Sequence, residues 1–154
     1  MQERVGDHPI LISLKFQLSS LRLADAAGFL LSRKIMPDQA PRDLRERAFQ
    51  FTCALFDFCE DLSRSSGPRR RIAEQLFDAG SAVAANLEEA KAAYSRRELA
   101  AKSAIALKET REAKYWLRVA EAKSLGKREL RDWLLQEVDE FVAMLTVAVR
   151  RLQS

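Results

Sequence analysis

From Pro41 almost to the C-terminus, apolar residues recur every three or four positions. No other feature constrains the fold as strongly. The run Leu99, Ser103, Ala106, Thr110, Ala113, Leu117 and Ala120 keeps a strict 4-3 alternation. A period near 3.6 places such residues on one face of an α-helix. Breaks fall at SRSSGP (63–68), at SRRE (95–98) and at Gly126. They divide the pattern into four helices, predicted at 43–62, 69–94, 95–125 and 127–152. Pro68 suits the first turn of the second helix. Ser95 and Glu98 form an S-x-x-E capping box: the Ser95 hydroxyl accepts from the Glu98 amide, and the Glu98 carboxylate reaches back to the Ser95 amide. Gly126 is the expected stop of the third helix.

The inward seam of the first helix reads Leu44, Ala48, Phe51, Leu55, Phe58 and Leu62. The second reads Ile72, Leu76, Ala79, Val83, then Asn86 or Leu87, then Ala90 and Tyr94. The fourth reads Leu130, Leu134, Val138, Phe141, Leu145, Val149 and Leu152. The small residues of the third helix allow a close neighbour. Short loops force adjacent helices to run antiparallel. The expected fold class is therefore all-α, an antiparallel up-down-up-down four-helix bundle. Phe49, Phe56, Val142, Met144 and Val147 add more apolar surface than one core needs, which points to a homo-oligomer.

Residues 10–18 behave differently. Ile10, Ile12, Leu14, Phe16 and Leu18 alternate with Ser13, Lys15 and Gln17, a strand period with no evident partner. Met36 offers a second start. The chain thus reads as an N-terminal extension at 1–40, its first 35 residues upstream of that start, followed by the helical domain at 41–154. The alternative is an arm that packs on the bundle or on a neighbour.

Composition excludes several classes. With 47% hydrophobic and 31% charged residues, and only 5 Gly and 4 Pro in 154, the chain has the profile of a soluble helical domain. His8 is the single histidine, which argues against His-based metal sites and against Ser/His or Cys/His catalysis. Neither a nucleophile–base pair nor a phosphate-binding Gly loop is evident, so no enzyme and no cofactor are expected. Glu88, Glu89, Glu109 and Glu112 lack the histidines of a di-metal bundle, and structural ion pairs are expected of them instead. Cys53 and Cys59 read as reduced, buried small hydrophobes of a cytosolic protein. No run of 18 apolar residues and no clean signal peptide appear. A cytoplasmic location without membrane contact follows.

The net charge of +4 is a small excess. Its placement matters more. The up-down arrangement gathers Arg64, Arg69, Arg70, Arg71, Lys127, Arg128 and Arg131 at one end, and Arg42, Arg45, Arg96, Arg97, Arg150 and Arg151 at the other. Repeated around a ring, such ends build cationic rims that suit phosphate backbones. Arg69, Arg70, Arg71, Lys127, Arg128 and Arg131 are the candidate nucleic-acid contacts. The competing reading is solvated helix ends, offset by Glu60, Asp61, Glu129 and Asp132. Asn86, on the inward seam of the second helix, reads as a buried amide that sets register and oligomer state. Glu89 is the expected partner, or shares one with it. Of the adjacent Tyr115 and Trp116, at least one is expected in the core or an interface.

These motifs resemble the four-helix-bundle proteins named after intervening sequences in 23S ribosomal RNA genes. The accessory variability protein of diversity-generating retroelements belongs to the same superfamily. The second-helix motif of that family, Q-L-R-R-A-A-x-S-I-x-x-N-I-A-E-G, is matched by Gln75, Leu76, Ala79, Asn86 and Glu89. Phe77 and Asp78 replace its arginine pair, and Ala90 its glycine. Ser95 and Glu98 stand in its next motif, and Glu109, Glu112, Tyr115 and Trp116 in the run K-E-x-x-E-x-x-Y-W-L. The likeness spans about 43–152. It implies a barrel-shaped homopentamer without catalytic activity. For the retroelement members it implies binding to a reverse transcriptase and to nucleic acid.

Overall fold

The computed structural model describes residues 43–154. The alternating run at 10–18, Arg42 and the predicted extension at 1–40 lie outside them. The described residues form four helices and no strand: α1 (Leu44–Ser63), α2 (Pro68–Lys91), α3 (Arg96–Ala122) and α4 (Arg128–Gln153). Among the described residues no helix is long and apolar enough to cross a membrane.

Each helix starts and stops for a local reason. Asp43 caps α1, its carboxylate accepting from the Arg45 amide at 3.0 Å. That bond holds the Asp43 carboxyl below its usual range. Pro68 opens α2. At the start of α3 the Ser95 hydroxyl accepts from the Glu98 amide at 3.1 Å. The Glu98 carboxylate takes the Tyr94 amide at 3.0 Å, not the expected Ser95 amide. The backbone at Tyr94 thus serves the cap of α3. This is why α2 ends at Lys91, and why Tyr94, expected on its seam, is exposed.

The stop of α3 also differs from expectation. Ser124, not Gly126, takes the left-handed conformation after the last turn, with φ 50°. The Leu125 amide donates to the Ala120 carbonyl at 2.8 Å and the Ser124 amide to that of Glu121 at 2.9 Å. These two bonds are a Schellman motif, and Leu125 drops into the core behind it. Gly126, at φ 67°, serves the next step of the turn, where a Cβ would overlap the Phe58 ring.

The helices meet in a closed cycle: α1 on α2, α2 on α3, α3 on α4, and α4 back on α1, the last pair sparsely. Early residues of one helix meet late residues of its neighbour. Arg45 reaches Glu88, Lys102 pairs with Glu89, Arg96 reaches the Arg151 carbonyl, and Lys127 faces Asp61. The core holds Phe51, Leu55, Phe58, Leu76, Val83, Leu117, Leu134, Val138, Phe141 and Leu145, all essentially inaccessible. Phe51 and Phe141 meet edge-on at 5.4 Å. On α3, Ser103, Ala106, Thr110, Ala113, Leu117 and Ala120 are all buried. The hydroxyl of the fully buried Thr110 donates to the Ala106 carbonyl at 2.7 Å.

Candidate nucleic-acid interface and exposed apolar faces

At the end of the fold where α1 stops and α4 starts, most predicted cations already have carboxylate partners. Arg64 lies 3.9 Å from Asp61, which Lys127 also approaches at 3.9 Å. Arg70 and Arg71 share Glu74 at 3.0 and 3.5 Å, and Arg128 faces Asp132 at 3.5 Å. Such exposed pairs contribute only ~0–1 kcal/mol each to stability, but they lower the field available to a phosphate. Of the six candidates, Arg69 alone is exposed without an ion-pair partner among the described residues.

Arg131 must be withdrawn from that set. It is buried, and its Nη1 donates to the Leu125 carbonyl at 2.9 Å. The Schellman turn leaves this carbonyl pointing inward, and Arg131, one turn into α4, folds back to satisfy it. Its Nε is buried without a partner. A guanidinium committed in this way straps the α3–α4 turn and offers nothing to a phosphate.

The opposite end is less neutralised. Arg96, Arg97, Arg150 and Arg151 are exposed. Among the described residues none of the four has a carboxylate within 4.0 Å. The Arg96 guanidinium donates to the Arg151 carbonyl at 2.9 Å, which holds the start of α3 against the end of α4. This bond brings the arginine pairs 96–97 and 150–151 to the same end of the fold.

The motif residues fall on α2 and α3. Asn86 is not in the core: Leu87 fills the seam beside Val83, and Asn86 is half-buried. Its Nδ2 donates to the Ala82 carbonyl of its own helix at 2.8 Å. Glu89 pairs with Lys102 of α3 instead of with Asn86. Glu112 accepts from the Trp116 indole at 3.4 Å, and Glu109 and Gln75 are half-buried. Tyr115 lies on the surface, edge-on to a half-buried Trp116 at 5.0 Å. Among the described residues no three metal-ligating side chains converge.

Two features were missed at the sequence level. Arg47 makes a two-pronged bridge to Glu137, with both bonds at 2.9 Å, and its guanidinium lies 5.7 Å from the Phe141 ring. Side-chain exposures of 16% and 12% show that water is mostly excluded. The Glu137 bond raises the Arg47 pKa further above its ordinary value. The bridge closes the sparse α1–α4 contact. Its signal was present: each residue directly precedes a seam position, Ala48 and Val138, where interhelical charge pairs form. The second is the position of Cys53. It is exposed, contrary to the buried reading, and only Cys59 is inside. Burial pushes the Cys59 thiol up to about 12.

Large apolar side chains remain outside: Phe49 is 59% exposed, Phe56 54%, Tyr115 56% and Ile105 40%. Phe56 meets Phe77 edge-on at 6.0 Å over a groove between α1 and α2 of about 460 Å³.

The 23S rRNA-intervening sequence protein family matches residues 42–147. The chain belongs to this family. A solved protein of unknown function, of the S23 ribosomal protein family from Bacteroides thetaiotaomicron, is similar in fold. It shares 23% identity, covers 70% of this chain and 98% of its own, and superposes with a TM-score of 0.63. No curated protein matches.

Proposed function

We propose that the four helices run up-down-up-down as an antiparallel bundle. Copies of this bundle assemble into a ring-like homo-oligomer, a pentamer in the form the family resemblance implies. The assembly acts in the cytoplasm as a non-enzymatic scaffold. The observation that carries this reading is the set of large apolar side chains left in water around a core that is already complete. Pairing of early with late residues between successive helices supports the antiparallel order. Light scattering at micromolar concentration tests assembly. A multiple of the 17.5 kDa chain mass is expected, and a monomer mass refutes it.

A second reading rests on the arginine cluster at the other end. Arg96, Arg97, Arg150 and Arg151, repeated around a ring, make a rim for the backbone of RNA or DNA, or for a reverse transcriptase working on them. This rim replaces the one first expected around Arg69–Arg71. Backbone binding by counterion release weakens steeply with salt. Triple substitution Arg97→Ala, Arg150→Ala and Arg151→Ala should abolish binding of a fluorescent single strand and remove its salt slope. Wild-type protein that fails to bind at low salt would instead leave a structural protein, or the product of a selfish element, with no nucleic-acid ligand.

A further inference from the structure

We infer that the α1–α2 face of one copy docks head-to-tail on the outer face of α3 of a second copy. This rests on the homo-oligomer proposed above and names the two surfaces that meet.

The α1–α2 face is apolar with a mainly acidic border, since Arg71, which also lines the groove, is paired with Glu74 at 3.5 Å. Phe49, Cys53 and Phe56 follow one another at helical spacing on the exposed side of α1, and Phe56 continues into the groove against Phe77. From Ala48 to Ser63, α1 carries no Lys or Arg. Glu46 and Asp57 on α1 and Asp78 on α2 have no cation within 4.0 Å among the described residues. The outer face of α3 has the opposite character. Ile105 and Tyr115 are exposed there with Lys108, Arg111 and Arg118, three cations without a carboxylate partner among the described residues, against one exposed acid, Glu112, which accepts from the Trp116 indole.

The lengths agree. Glu46 and Asp57 are separated by about 16 Å along their helix, and Lys108 and Arg118 by about 15 Å, at the rise of an α-helix. Each strip thus offers apolar contact flanked by charges the other can neutralise. They cannot meet within one chain. α1 and α3 sit across the cycle of helices, each packed on α2 and α4. A two-fold pairing of like faces would set one acidic border against another, at a repulsive cost. Complementary patches on opposite sides of a subunit give heterologous contacts, which close into a ring when the rotation allows. Cys53 lies inside the buried strip of such a contact. Cys59, buried and with its thiol pushed up to about 12, does not compete for reagents.

Charge exchange tests the pairing. One variant carries Glu46→Lys, Asp57→Lys and Asp78→Lys; the other carries Lys108→Glu, Arg111→Glu and Arg118→Glu. All six positions are exposed or half-buried at the surface, so helicity by circular dichroism should be unchanged. Each variant alone is expected to fall to monomer at concentrations where the wild type is assembled. The chain carrying all six substitutions should reassemble, and mixing the two variants should give mixed oligomers. Maleimide labelling of Cys53 should be slow in the wild-type assembly and at least tenfold faster in the α3 variant, although that variant is unchanged around Cys53. A wild type that assembles while both variants keep its mass would overturn the assignment of these faces. So would a six-substitution chain that stays monomeric, or Cys53 labelling unchanged in a monomeric α3 variant. A monomeric wild type would instead overturn the homo-oligomer itself.

Discussion

Gly80 offers the sharpest test of the packing. It is buried in the middle of α2, where that helix approaches α1. A Cβ built there overlaps Leu55 Cδ1, with Leu55 Cγ at 3.5 Å and Phe51 Cε1 at 3.6 Å. In a free helix, Gly→Ala would stabilise by about 1 kcal/mol. Here Leu55 and Phe51 are both completely buried, so the leucine methyl can move only by displacing packed neighbours. Overpacking of this kind costs about 1–3 kcal/mol. The packing loss exceeds the propensity gain, and Gly80→Ala should lower stability by about 1 kcal/mol. That corresponds to a melting temperature lower by about 3–5 °C for a chain of this size. Urea unfolding at one fixed protein concentration measures it, as a lower midpoint with an unchanged slope. A second arm isolates the cause. Leu55→Ala alone should cost about 2–5 kcal/mol, but in the Gly80→Ala background it should cost at least ~1 kcal/mol less, because the new methyl fills part of the vacated space. Gly80→Ala at or above wild-type stability, or two additive substitutions, would refute the reasoning.

Three further outcomes are expected. Ser95→Ala should lose about 1 kcal/mol in urea unfolding, since it orphans the Glu98 amide at the start of α3; no loss would mean that the Glu98–Tyr94 bond alone carries the cap. Glu137→Ala leaves Arg47 mostly buried beside Phe141 without its carboxylate and should cost about 2–3 kcal/mol, whereas Glu121→Ala at the exposed end of α3 should stay within about 0.5 kcal/mol; equal effects would deny the bridge its role. Cys59 ionises near 9 when exposed and is pushed up to about 12 in the fold. The unfolded chain therefore releases this proton first. The contribution is complete below about pH 9 and is lost as pH rises from there toward 12. Cys59→Ala should flatten the alkaline fall in stability, and an identical fall in both proteins would exclude the thiol as its source.

The α3 seam was legible from Ser103 to Ala120 because inward positions in strict alternation leave a helix only one way to face, although Leu99 is half-buried and Leu107, off the seam, is buried. The end of α1 and the start of α2 were legible for a local reason, the SRSSGP break and its proline at the first turn. Where two adjacent positions competed, periodicity alone could not decide. Asn86 and Leu87 lie only about 100° apart on the helix. Which of them turns inward depends on where α1 and α3 stand around α2, and the apolar Leu87 takes the place. Cys53 and Cys59 divide in the same way: six residues apart on one helix, one faces the core and the other water. The charged candidates were the least legible. Counting Arg131 among the rim cations assumed that a charged residue near a helix start points outward.

The sequence by itself determined that residues beyond Pro41 form helices, how many, and nearly where each ends. Those choices rest on interactions a few residues long, such as apolar spacing, caps and turn residues, and they can be read in one dimension. Tertiary structure decided which charges are spent and which remain. Arg131 is committed to the Leu125 carbonyl, and Arg47 to Glu137 some 90 residues away. Arg97, Arg150 and Arg151 are exposed and keep their charge unpaired among the described residues. An ion pair is worth something only where its partner stands and where water is excluded, and both conditions are set by neighbours that the linear order does not name.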